Sequence, residues 1–166
     1  MMKALMLLFL FFGLNSYALI QVGDPMPDMC WTKADNSKIC LQDARETVRV
    51  LIYGAGWCAA CGNEMQDLAA RVSVFDGRPV TFVSLSISGW QLETPADSQF
   101  LTQWEDTYEI PFAVAAASLS EMKQVFSELL IPSVIIIDKS GKLAFKGINP
   151  GTDVIFEQVR LLLHIK

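Results

Sequence analysis

The residues best equipped for chemistry in this 166-residue chain are four cysteines, Cys30, Cys40, Cys58 and Cys61. Two of them form the run Trp57-Cys58-Ala59-Ala60-Cys61. Thiols three residues apart can close a small ring after local rotation. If a helix begins at Cys58, its free N–H groups and macrodipole favour a negative sulfur there. Cys58 is then a nucleophile of lowered pKa, able to attack a disulfide, and Cys61 lies one turn away to resolve the mixed disulfide. Two other readings of the motif stay open. It could be half of a zinc site with Cys30 and Cys40, although nine residues between those two is a poor ligand spacing. It could also be a purely structural crosslink, although so short a loop gains little from closure. The single histidine, His164, is a solvated residue near the end of the last helix. It leaves no room for a histidine-rich metal site or a histidine-based triad in mid-chain.

The reactive pair needs a rigid ledge, and the flanking sequence supplies one. Val48–Tyr53 is a β-rich apolar run, as in a buried central strand, and Gly54-Ala55-Gly56 breaks it, permitting a turn. Met65, Leu68, Ala69 and Val72 then recur at helical spacing, predicting a helix from Ala59 to Phe75. Val80–Ile87 is a second strand, so strand, helix and strand make a βαβ unit. Phe100, Leu101, Trp104 and Tyr108 mark a second helix, and Pro111–Ala115 a short strand. Ser118-Leu119-Ser120-Glu121 is a capping box. It opens a third helix with Leu119, Met122, Phe126 and Leu129 on one face. Ser133–Asp138 reads as a strand, Lys139-Ser140-Gly141 as a turn and Lys142–Lys146 as an antiparallel return. Val154, Ile155, Val159, Leu162 and Leu163 line a closing helix. Near the start, Asp35-Asn36-Ser37 reads as the turn of an N-terminal β-hairpin. The expected class is α/β: a mixed central sheet flanked by helices on both faces, with that hairpin and a central insert.

Composition narrows the functional classes. Hydrophobic residues make up 52% and charged residues 19%, enough apolar material for a core. The net charge of −5 argues against a nucleic-acid partner, since phosphate binding needs a basic face. Residues 1–18 carry a basic start (Lys3), an apolar stretch from Ala4 to Leu14 and small residues Ser16 and Ala18 before a cut. These are the parts of a secretory signal peptide. A retained membrane anchor is the alternative, and its apolar stretch is short against the ~20 residues of a spanning helix. Cleavage leaves residues 19–166 as one domain in a compartment where disulfides last, periplasmic or otherwise extracytoplasmic.

The chain resembles the thioredoxin-like superfamily. The residues that carry the resemblance are Trp57-Cys58-x-x-Cys61 after an apolar strand, Ile131-Pro132-Ser133 before a late strand, and Asp138-Lys139-Ser140-Gly141-Lys142 at a hairpin. The signal segment, the lead-in Val22-Gly23-Asp24-Pro25-Met26-Pro27 and the long stretch between Ile87 and Ile131 are most similar to the TlpA/ResA-like branch. Those proteins are envelope thiol–disulfide oxidoreductases, many of them reductants in cytochrome c maturation. The resemblance implies a cis bond at Pro132, which sits beside the sulfurs, and a backbone contact from Ile131 to an extended substrate. It also implies that Glu64 tunes the pair and helps move the proton that Cys61 must lose. Partial burial has to raise the Glu64 pKa for that; a solvated helix glutamate is the plain alternative. Thioredoxin carries a buried aspartate where this chain has Ile52, which raises the stake on Glu64. The Ala59-Ala60 dipeptide lacks the histidine common in strong oxidants and leans toward a reductant.

The resemblance calls for no cofactor and no metal. Its partners are a thiol- or disulfide-containing exported protein and a membrane thiol donor; the membrane itself is touched only if the signal segment stays. Trp57 shields the sulfurs or packs in the core, and Trp90 and Trp104 line a groove or pack in the core. Cys30 and Cys40 flank the hairpin turn and form a structural disulfide, remain as free thiols, or act as a second exchange pair. Rival readings of the protein are a disulfide oxidase or isomerase, a peroxide reductase, and a non-catalytic metal carrier on the same fold.

Overall fold

A computed structural model describes residues 19–165 apart from Arg45. The segment expected to be a signal peptide, Met1–Ala18, lies outside the described residues. Seven strands form one sheet: β1 (Cys30–Lys33), β2 (Lys38–Cys40), β3 (Val48–Gly54), β4 (Val80–Ser86), β5 (Ala113–Ala116), β6 (Ser133–Ile137) and β7 (Leu143–Ile148). Their spatial order is β2-β1-β5-β4-β3-β6-β7. The helices are α1 (Ala59–Arg71), α2 (Ser98–Thr107), α3 (Leu119–Met122) and α4 (Thr152–Leu163).

The central strand β3 is buried at every position, as its mostly apolar run suits in a strand covered on both faces; Arg49 is its one charged residue. Alternation divides its side chains. Val50 and Ile52 face a core shared with Met65 and Leu68 of α1, Leu101 and Trp104 of α2 and Phe156 of α4. Leu51 and Tyr53 face a second core with Met29, Trp31, Met122 and Phe126. Strands β3, β4 and β5 run parallel. Two same-direction crossovers through α1 and α2 therefore leave both helices on one face.

Two sequence expectations need correction. Helix α1 ends at Arg71, and Val72–Phe75 tightens into a 3-10 turn. The third helix is a single turn. Its capping box forms, with the Ser118 and Glu121 side chains each bonded to the other's backbone N–H. Beyond it the backbone is claimed from elsewhere: the Gln124 carbonyl accepts from Ile20 N–H at 2.8 Å and the Val125 carbonyl from Lys146 Nζ at 3.2 Å. Met122 and Phe126 are buried, whereas Leu119 and Leu129 are exposed. The turn expected at the glycines forms at Gly56-Trp57, and it needs no positive φ. A Cβ on Gly56 would lie 2.7 Å from the Gly89 carbonyl oxygen, and the site needs that close approach.

Candidate active site

The fold brings the two reactive-looking segments together by register. Strand β6 pairs antiparallel with β3, and Tyr53 stands opposite Ser133. The chain leaving β3 toward Cys58 and the chain entering β6 through Ile131-Pro132 therefore share one end of the sheet. The Ile131–Pro132 peptide is cis and Pro132 is buried.

Cys58 is the N-cap of α1, with extended backbone (φ −93°, ψ 100°), and its Sγ accepts the Cys61 N–H at 3.1 Å. A sulfur thus occupies the position where an oxygen usually caps a helix, aimed at the free N–H groups of the first turn. Cys58 and Cys61 are joined as a disulfide with Cα atoms 5.2 Å apart. Their exposure differs: Cys58 keeps 9% of its surface and Cys61 only 1%. Trp57, Ala59 and Ala60 around Cys58 are all exposed. Cys58 is thus buried yet flanked by exposed residues, nearer the rim than Cys61, which is enclosed behind it. On the far side, Cys58 Sγ lies 3.8 Å from the Ile131 carbonyl oxygen.

Trp57 is 43% exposed, and its indole N–H donates to Ser88 Oγ at 2.7 Å. The two insert tryptophans divide. Trp104 is a core residue, while Trp90 is part-exposed and stacks edge-on against Phe100 at 5.1 Å. Ile52 is buried in the apolar core beside Cys61.

Glu64 lies three residues beyond Cys61 on α1, the spacing of neighbours along a helix. It is buried, and among the described residues neither carboxylate oxygen completes a hydrogen bond. Burial pushes its pKa up to about 7; the nearby Gly151 N–H opposes that shift and the Asp67 charge adds to it. A carboxyl group so placed exchanges a proton near neutrality, as a general acid or base must.

Cys30 and Cys40 form the second disulfide, directly opposite across β1 and β2 with Cα atoms 4.0 Å apart. Each cysteine pair thus closes on itself, and the four do not converge on one metal. The hairpin turns through Asn36 in the left-handed region (φ 63°), with Lys33 N–H donating to the Ser37 carbonyl at 2.9 Å.

Sequence reasoning names the sulfurs, Trp57, Glu64, Ile131 and Pro132. It misses Ser88 and Gly151. A Ser-Gly pair at the close of a buried strand is the available signal for Ser88; Gly151 has none.

Comparison with known proteins places the fold and the family. ResA, a thiol–disulfide oxidoreductase of Bacillus cereus, is 25% identical over 133 residues, covering 80% of this chain and 73% of the relative. A thioredoxin-family thiol:disulfide interchange protein of Chlorobium tepidum superposes with a TM-score of 0.70 at 18% identity, over 88% of this chain and 99% of that one. A peroxiredoxin-like protein of Aquifex aeolicus gives 0.68 at 20% identity, over 87% and 89%. The AhpC/TSA family model matches residues 22–146. With its thioredoxin-like fold, the chain belongs to the AhpC/TSA family.

Proposed function

We propose that this protein is an exported thiol–disulfide oxidoreductase that passes electrons to cysteine pairs of other envelope proteins. The observation that carries the reading is the asymmetric pair, with Cys58 at the helix N-cap among exposed neighbours and Cys61 enclosed behind it. In the reduced state the Cys58 thiolate attacks one sulfur of a client disulfide and displaces the other as a thiolate. Cys61 then gives up its proton, with Glu64 as the acceptor, and attacks Cys58 Sγ. The client leaves with two thiols and this protein keeps the Cys58–Cys61 disulfide, a transfer of two electrons. Ile131 offers its backbone to the client segment beside Cys58, and Pro132 holds that strand entry against the sulfurs.

Cys30–Cys40 serves as a structural crosslink of the hairpin. The pattern of Met1–Ala18 supports export to the periplasm or its equivalent. A membrane thiol donor returns the Cys58–Cys61 disulfide to the dithiol. Cytochrome c maturation, the work of many TlpA/ResA-like proteins, is the service proposed. The reducing direction rests on Ala59-Ala60, which puts no cation beside the thiolate.

Equilibration of Cys58–Cys61 in thiol buffers tests the direction. A reductant has a potential near that of thioredoxin, about −270 mV; a value near about −120 mV marks a disulfide donor instead. Peroxide turnover by the Cys61→Ser variant would favour a peroxiredoxin-like activity. Host expression of the same variant should trap the client on Cys58.

A further inference from the structure

The geometry points to Ser88 as a positioning residue for sulfur exchange, acting through Trp57. This inference rests on the proposed function and adds a residue to it. Ser88 is 6% exposed, and its hydroxyl oxygen accepts the Trp57 indole N–H at 2.7 Å. Its own carbonyl accepts the Ser86 hydroxyl at 2.7 Å. The backbone on either side is stitched to the active-site strand. Ile87 N–H donates to the Gly54 carbonyl at 2.9 Å, and Gly56 N–H donates to the Gly89 carbonyl at 3.0 Å. Gly89 N–H in turn donates to the Thr94 carbonyl at 2.8 Å. Ser88 therefore sits on a fixed ledge.

Trp57 does not sit so firmly by itself. With 43% of its surface in solvent, packing alone leaves its ring free to change rotamer. The bond to Ser88 selects one ring position, on the residue that immediately precedes the attacking cysteine. It also uses up the indole donor, so a partner meets only the ring surface. The consequence is specific to large partners. A small disulfide needs access to Cys58 Sγ alone, while a protein disulfide must also lay its flanking chain past the indole. Releasing the ring costs ordering entropy when the client docks.

The test is Ser88→Ala, Trp57→Phe and the double variant, assayed on a protein disulfide (insulin) and a small one (oxidised glutathione). We expect Ser88→Ala to raise KM for insulin about fivefold, the worth of one hydrogen bond, with kcat held. Ser88→Thr should restore it. Trp57→Phe, which also lacks the donor, should behave alike, and the double variant should be no worse than either single one. Equal losses on both substrates, additive losses, or an unchanged KM would overturn the proposal. A second arm needs no activity: solvent exchange of the Trp57 indole proton, followed by NMR, should quicken in Ser88→Ala, and unchanged exchange contradicts the ring's being held there. If the wild-type protein reduces neither substrate while exchange quickens, the exchange function fails and Ser88 still positions Trp57.

Discussion

Two disulfides in one small domain meet different surroundings, and the difference shows what makes a sulfur reactive. Paired residues Thr32–Ala116, Ala116–Ser86 and Ser86–Gly54 run level across the sheet, so both bonds lie toward the same end. Their strands, β1 and β3, stand about 14 Å apart at ordinary strand spacing. At Cys58 the backbone has just left a strand and is entering a helix, so the sulfur receives an N–H bond and faces the positive end of a helix of 13 residues. At Cys40 the backbone N–H is bonded to the Asp43 carboxylate at 3.0 Å, which brings a negative charge beside that cysteine. Cys30 receives only the Gln42 amide, at 3.7 Å. On the proposed reading, one pair is prepared to release a thiolate and the other fastens an edge hairpin.

That contrast can be broken in order of expected effect. Cys58→Ser should bring insulin reduction down to the uncatalysed background, whereas the Cys30→Ser/Cys40→Ser double variant should stay within about twofold of wild type, as befits a distant site. A comparable loss from both variants would erase the distinction. The same double variant should instead lose stability, by roughly 2.8 kcal/mol in the chain-entropy model, in urea melts of the oxidised protein. A loss near zero would mean that the hairpin needs no crosslink.

Glu64 sharpens the reactive side. Its folded pKa of about 7 lies above the ordinary value of 4.5, so the folded state holds its proton more tightly than the unfolded chain. Stability therefore falls as pH rises from about 4.5 to about 7, and the penalty is complete above that window. Glu64→Gln should stabilise the fold by about 2 kcal/mol at pH 8 and by nothing measurable at pH 4. The same variant should slow resolution of the mixed disulfide and flatten its pH profile near 7. A gain that is equal at both pH values would place Glu64 in ordinary solvent contact.

How much of this is legible in the sequence follows from sequence distance. The strand-to-helix junction, the Cys58–Cys61 pair and the Glu64 spacing are local patterns, and each is written within a few residues. The opposition of Cys30 and Cys40 needs only a turn signal between them. The Trp57–Ser88 bond joins residues 31 apart, on two different strand ends, and no periodicity announces it. The third helix reads too long in the sequence because its apolar spacing is real, while the groups that cut it short come from Ile20 and Lys146, far along the chain in both directions. The active-site glycines look like turn residues. What a side chain there would meet, Cys61 at Gly54 and the Gly89 carbonyl at Gly56, belongs to the tertiary contact alone.

The most direct measurement is a mapped adduct. The Cys61→Ser variant, with Cys30–Cys40 left closed, is mixed with a peptide disulfide and digested for mass spectrometry. The peptide should be found on Cys58 alone, at a rate that rises with pH as the thiol ionises to the attacking thiolate. Attachment at Cys30 or Cys40, or no attachment under conditions where free cysteine reacts, would contradict the claim that Cys58 is the exchanging sulfur.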